Sequence, residues 1–357
     1  MFYTGKKGGT ESYTRSLYTE IGRRHPEIEL VGLLNTELRQ TPPDWFPGET
    51  VPLPVSGENR LAWAAAENTL VPAAALRAEA DVLHCPANFG PAVSRVPVAL
   101  TVHDLLAFRY PELVPNGGAR AVQWLTRTSV RGARVLLTDS TASATDIRSC
   151  ITVGRRPIKV IPLAAPSMAA GAAAPASPGH ERPFLFSTGN RLPHKNFPVL
   201  LEALARIPAH ERPRLVIPGS HGDDPLRALV DRLDLHDDVE LLGWVTPEEL
   251  DRLYRTAALY VLPSRFEGFG LPVLEAMSRG CPVVCSDIPV LREVGGEAAA
   301  YLDTRDATAV ADTLRTLLKD PAELSRLSTA GQVQASKFSW SRVADETVAA
   351  LRLTSRH

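Results

Sequence analysis

A chain of 357 residues is longer than one hydrophobic core usually serves, so two domains are expected. Hydrophobic residues make up 44% and charged residues 22%, which excludes fibrous and disordered classes, and a formal charge of −1 lacks the basic surplus of a nucleic-acid binder. No run of about 18 apolar residues and no basic segment leading into an apolar core occurs, so the expected location is cytoplasmic.

The chain opens on a glycine-rich turn, Gly8-Gly9-Thr10-Glu11, that leads into a helical segment over residues 11–24. Such a turn ordinarily follows a central strand of a parallel sheet. The few residues before it hold at most the end of one, so the first strand of the N-terminal domain is expected to be missing or to lie upstream of Met1. Nine short apolar runs then read as buried parallel strands: 81–84, 98–102, 134–138, 159–162, 184–187, 214–217, 239–242, 259–262 and 282–285. Segments of helical period separate most of them, which predicts α/β architecture with doubly wound parallel sheets. Residues 163–182, made largely of Ala, Pro, Gly and Ser, have neither period and read as a linker. The expected division is therefore 1–162, 163–182, 183–335, and a last segment over 336–357. The stretches 35–59 and 108–118 read as loops without a signature.

Between the strands, Arg120, Trp124, Arg127, Arg131 and Arg134 place a basic face with one aromatic on a helix. A solvated face is the plain reading, and contact with a membrane surface or a lipid phosphate is the sharper one. Ser140 to Asp146 reads first as caps and turns. The four cysteines, Cys85, Cys150, Cys281 and Cys285, fit neither a disulfide framework nor a metal site and read as core thiols. Asp287 and Glu293 read as surface carboxylates.

The most informative stretch, Pro263 to Met277, runs from a strand through a Gly-rich turn into a helix, and within it Glu267 and Glu275 bracket seven residues. Ligands of open α/β sheets sit outside the carboxyl ends of strands, and free N–H groups at a helix start attract phosphate. Gly268 and Gly270 admit a diphosphate close to the backbone. The two carboxylates, as acceptors, suit the hydroxyls of a sugar and a ribose, whereas the phosphates between must meet donors.

This stretch resembles the E-x7-E motif of the retaining glycosyltransferases of family 4, which have the GT-B fold, and the resemblance extends over nearly the whole chain. It implies two Rossmann-like domains facing a cleft, the first on the acceptor side, the second holding a nucleotide sugar, and the last helix packing back on the N-terminal domain. Glu267 would contact donor-sugar hydroxyls and Glu275 the ribose, while backbone groups at Phe269, Gly270 and Leu271 would meet sugar and phosphate. Ser187 to Asn196 resembles the family loop ending in Lys-Asn, so Lys195 would grip the diphosphate. The family's arginine directly after the loop glycine is here Asn190, with Arg191 one place later as a further donor-binding candidate. Gly243, Trp244 and Val245 resemble the segment that reads the donor base, and Gly8 and Gly9 the loop beside the diphosphate. His103 and Asp104 match the family's His-Asp pair, with His103 touching the donor sugar or orienting the acceptor.

The resemblance thus implies hexosyl transfer from a nucleotide-diphosphate sugar to a hydroxyl with retention of configuration, with His103, Lys195 and Glu267 as the catalytic set. It implies no metal and no cofactor beyond the nucleotide sugar as co-substrate, and the chain has no Asp-x-Asp triplet. Acceptors on this reading are a carbohydrate, a lipid-linked sugar or a small molecule, with peripheral contact at the inner membrane face for a lipid carrier. The competing readings are a nucleotide-sugar epimerase on the same scaffold, a dehydrogenase, and a nucleotide-sugar-binding protein whose active site has been retired. The dehydrogenase lacks its G-x-G-x-x-G after a strand.

Overall fold

The computed structural model describes residues 9–39, 42–114, 117–166, 183–220 and 222–355. The chain forms two compact units, Met1–Pro166 with Ser339–His357, and Ser167–Phe338. Gly8 and the expected first strand lie outside the described residues.

In the first unit β1 (Val31–Leu34) pairs in parallel with β2 (Glu49–Pro52). A second parallel sheet runs in the order β3 (Leu83–Cys85), β4 (Val98–Thr101), β5 (Val135–Thr138) and β6 (Ile158–Val160). β4 and β5 are buried along their whole length, because every residue is apolar except a closing threonine and helices cover both faces. The helix Gly9–Arg24 buries Tyr13, Leu17 and Ile21, spaced four apart on one face. Residues 339–357 cluster with this unit. There the helix Trp340–Ser355 meets the helix Gly9–Arg24, and Asp345 pairs with both Arg24 and His25.

The second unit is one six-stranded parallel sheet in the order β12-β11-β10-β7-β8-β9. Its strands are β7 (Phe184–Phe186), β8 (Arg214–Ile217), β9 (Val239–Leu241), β10 (Leu259–Leu262), β11 (Val283–Ser286) and β12 (Ala300–Leu302). The chain winds outward from β7 through β8 to β9, then returns to the other side of β7 at β10. Strand order therefore reverses between β7 and β10, and the loops leaving their carboxyl ends diverge there, which opens a crevice at that end of the sheet. Leu185, Leu215, Val261 and Val284 of the sheet pack with Leu200, Leu201 and Leu314 of the flanking helices.

All nine expected strands are present within a residue or two of their predicted limits. Three were not expected. β1 contains a glycine, β2 is half polar and largely exposed, and β12 has three residues, so none shows the apolar run that marks a buried strand. The stretch 108–118 is not plain loop either, since a 3-10 turn spans Pro111–Leu113 after the short helix Leu106–Arg109.

Candidate functional site

The crevice of the second unit collects the residues that the motifs single out. β7 is followed by Gly189, whose φ of +141° is open to glycine and unfavourable for other residues. A Cβ there would stand 3.4 Å from the Cδ and Cε atoms of Lys195, so the glycine lets the lysine stem lie along its own loop. Lys195 ends the 3-10 turn Pro193–Lys195, and Asn196 follows in the left-handed region. Across the switch point, the loop after β10 presents Glu267, and Lys195 Nζ donates to its Oε1 at 2.7 Å. Both side chains are about nine-tenths buried, at 13% and 10% exposure, so each charge is neutralised where water is scarce.

Gly270 caps the helix Leu271–Ser278 with φ +105°, and a Cβ on it would meet Leu291 Cδ2 at 2.7 Å. The conformation calls for glycine, and any side chain would also have to displace the Leu291 methyl. Phe269 turns its ring into the protein against Phe338, which leaves only its backbone to face a ligand. Within the helix Glu275 is half-buried, and the Tyr254 hydroxyl donates to its Oε2 at 2.9 Å. Burial pushes the Glu275 carboxyl above the usual range, opposed by the Tyr254 hydrogen bond and by Arg279. Tyr260 lies within electrostatic reach of both glutamates, and its hydroxyl is 2.7 Å from Thr188 Oγ1 on the β7 loop.

Arg191, the further donor-binding candidate, has its guanidinium engaged within the protein. Its guanidinium donates to Asp224 and to the carbonyls of Gly189, Pro218 and Ile217, and it stacks on Phe197. With a side chain only 7% exposed, it braces the loops after β7 and β8 from behind rather than offering its donors to a phosphate. These braced loops border a cavity of about 210 Å³ lined by Ser220, Asp224, Arg227, Leu242 and Gly243 among others. Gly219 N–H donates to the Gly243 carbonyl at 3.0 Å, which ties the β8 loop to the segment expected to read a base. Trp244 beside it is 56% exposed, and Val245 is half-buried. Tyr254, Thr188 and Asp224 escaped the sequence reading, because a tyrosine in an amphipathic helix and single polar residues in loops carry no spacing signal.

In the first unit His103 follows β4 as expected, but its ring is already engaged. Nδ1 lies 2.7 Å from Asp139 Oδ2, and Nε2 lies 2.8 Å from the Pro86 carbonyl oxygen. Burial works against the charged ring, but Asp139, the Pro86 carbonyl and Asp104 together raise the histidine above its ordinary value. Asp104 accepts from the backbone N–H of Leu106 and so starts the next short helix. Gly9 begins the helix Gly9–Arg24 with open space where a Cβ would lie. Ser140 caps its helix, Asp287 pairs with Arg292 at the surface, and Cys85, Cys281 and Cys285 are buried thiols. Trp124 is 62% exposed, Arg127 stacks on Phe108, and Arg134 lies beyond the end of the helix Ala119–Gly132. Among the described residues no helix is long and apolar enough to cross a membrane, and no cluster of three or more His, Cys, Asp or Glu side chains could hold a metal.

Two parallel-sheet units, one with a polar crevice at its strand switch point, define a GT-B glycosyltransferase fold. Residues 7–165 match the sequence profile described as Glycosyltransferase Family 4, and residues 174–334 that of Glycosyl transferases group 1. The O-antigen chain mannosyltransferase B of Escherichia coli is 34% identical over 268 residues, 71% of this chain and 69% of that protein. The MMP alpha-(1->4)-mannosyltransferase of Mycolicibacterium hassiacum is 33% identical over 60% of this chain and 53% of its own length. Among solved structures, HepE from Anabaena in complex with UDP-glucose superposes with a TM-score of 0.71 over 98% of this chain and 97% of that one, at 19% identity. The chain belongs to the family 4 glycosyltransferases.

Proposed function

We propose that the protein transfers a mannosyl residue from a nucleoside-diphosphate sugar to a glycan hydroxyl with retention of configuration and without a metal. The observation that carries this is the Lys195–Glu267 pair at the switch point of the second unit. In the free protein each group neutralises the other. A donor separates their tasks: the diphosphate takes the ammonium, and the sugar hydroxyls take the carboxylate. Lys195 then stabilises the charge that grows on the departing phosphate, which supplies the role a metal has in other transferases. Glu275, oriented by Tyr254, receives the ribose, and the backbone N–H groups at the start of the helix Leu271–Ser278 meet phosphate. Arg191 acts on the donor only through the loops that it braces. Gly8, Gly9, Gly243, Trp244 and Val245 complete the donor contacts on this reading.

The mannosyl assignment rests on the two mannosyltransferase relatives, and the nucleotide-sugar donor draws support from HepE with its UDP-glucose. The same relatives favour a growing glycan as acceptor. A lipid-linked form of it would bring the exposed Trp124, between Arg120 and Arg131, toward a bilayer.

The test is transfer from GDP-mannose, with UDP-glucose as the control donor, to mannosyl oligosaccharides in the presence of a chelator. Product formation with an α-anomeric proton signal from the α-linked donor is expected. A β-linked product overturns retention, and loss of activity on chelation overturns metal independence. An inert GDP-mannose beside an active UDP-glucose overturns the mannosyl assignment alone.

A further inference from the structure

The hydrogen-bond partners of the two His103 ring nitrogens are both atoms that can only accept. A carboxylate has no proton to give, and neither has a main-chain carbonyl, whereas a neutral imidazole carries one N–H and one lone pair. At 2.7 Å from Asp139 and 2.8 Å from the Pro86 oxygen, a neutral ring would set its lone pair against one of them. We infer that Asp139 and the Pro86 carbonyl hold His103 as an imidazolium, which makes Asp139 the positioning residue for a fixed positive charge at the carboxyl end of β4.

The surroundings leave the ring little choice of orientation. The His103 backbone N–H donates to Asn88 Oδ1 at 2.7 Å, and the Ser143 hydroxyl donates to its carbonyl at 3.0 Å. Tyr13 from the helix Gly9–Arg24 packs against the imidazole, centroids 4.7 Å apart and planes at 84°. The titratable groups that face the ring are Asp139 after β5, Asp104 beside it in the chain, Tyr13, and His84 on β3. Burial pushes the Tyr13 phenol far up, so it stays neutral. Burial and the neighbouring His103 cation push His84 down to about 4, so it too is uncharged near neutral pH. His84 is satisfied in that neutral form by the Tyr18 hydroxyl and by Thr101, each at 2.9 Å. The pocket thus sorts its two histidines, one between hydroxyls that can donate or accept and one between obligate acceptors.

The chemical consequence rests on the glycosyl transfer proposed above. An imidazolium with both N–H groups engaged has no lone pair for the acceptor's proton. His103 therefore acts in that reaction as a fixed charge and not as a general base.

The charge is tested on the ligand-free full-length protein with 15N-labelled histidine, the His103 signals being identified by their loss in His103→Gln. Both ring nitrogens are expected to remain protonated as the pH passes above the value of an unperturbed histidine, about 6.5. A neutral ring there overturns the inference. In Asp139→Asn the titration should fall by roughly one unit or more, and an unchanged titration overturns the role of Asp139. The wild-type measurement decides the charge even if that variant fails to fold. Hydrolysis of GDP-mannose without acceptor reads the kinetic half: Asp139→Asn should lower kcat about tenfold with the alkaline limb of its pH profile moved down. A titration that moves while kcat and the profile stay put overturns the catalytic role. Should wild type neither transfer from nor hydrolyse GDP-mannose or UDP-glucose, the proposed function fails while the NMR result still decides the charge.

Discussion

Lys195 and Glu267 pair across the switch point of the second unit, whereas His103 in the first unit is held from two other segments, by Asp139 after β5 and by Pro86 and Asn88 after β3. In the second unit the partners are two long side chains on separate loops, joined by one contact that a ligand can replace. In the first they include main-chain atoms and a short buried carboxylate, which cannot move without the sheet. On the proposed function, the difference separates a site that exchanges partners from a site that presents a finished arrangement. Arg191 belongs to the second kind although it lies in the second unit, because its partners are Asp224 and three carbonyls.

Removing partners from each kind of site should sharpen this contrast. The largest effect is expected for Arg191→Ala, which strands Asp224, 5% exposed, without its counter-charge. A loss of about 3–5 kcal/mol in denaturant unfolding is expected. A loss under about 1 kcal/mol would return Arg191 to the list of ligand-facing groups. Lys195→Ala should do the reverse, with a stability change well below that of Arg191→Ala and a fall in transfer rate of roughly 10²–10³-fold. Activity within a factor of about three of wild type would break the proposed function at its centre. Tyr254→Phe removes one hydrogen bond to Glu275 and should weaken nucleoside diphosphate binding by about 1–1.5 kcal/mol, measured by calorimetry. Equal affinity would mean that Glu275 does not depend on Tyr254 for its position.

The pH dependence should also differ between the two arrangements. His103 has a folded value above its unfolded one, so its stabilisation is complete below the ordinary histidine range and is lost as pH rises through the raised value. Asp224 is held below the ordinary carboxylate value despite burial, through hydrogen bonds from Arg191 and the Leu226 N–H and the Arg191 charge. Its contribution is present above the ordinary aspartate value and is lost as pH falls through the depressed one. Unfolding free energy followed against pH should show the alkaline loss diminish in His103→Gln and the acid loss diminish in Asp224→Asn. An alkaline slope that survives in His103→Gln would assign it to another group. The smallest effect is expected for Trp124→Ser, with stability within about 0.5 kcal/mol of wild type. If flotation with anionic vesicles occurs, the same change should reduce it, and unchanged flotation would remove Trp124 from any bilayer contact.

Local pattern alone determined much of this protein. Fully buried parallel strands read as unbroken apolar runs, which is why β4, β5, β10 and β11 were legible, and glycines at a strand-to-helix turn identified the loop of Glu267. What pattern could not supply was which atoms each polar side chain would find. The turn of Arg191 into the protein, the Tyr254 bond to Glu275, and the meeting of His103 with Asp139, 36 residues away, all depend on contacts between elements distant in the chain. Hydrophobic periodicity is a property of neighbours in sequence, whereas hydrogen-bond partners and charge states are set by neighbours in space, and only the tertiary structure brings those together.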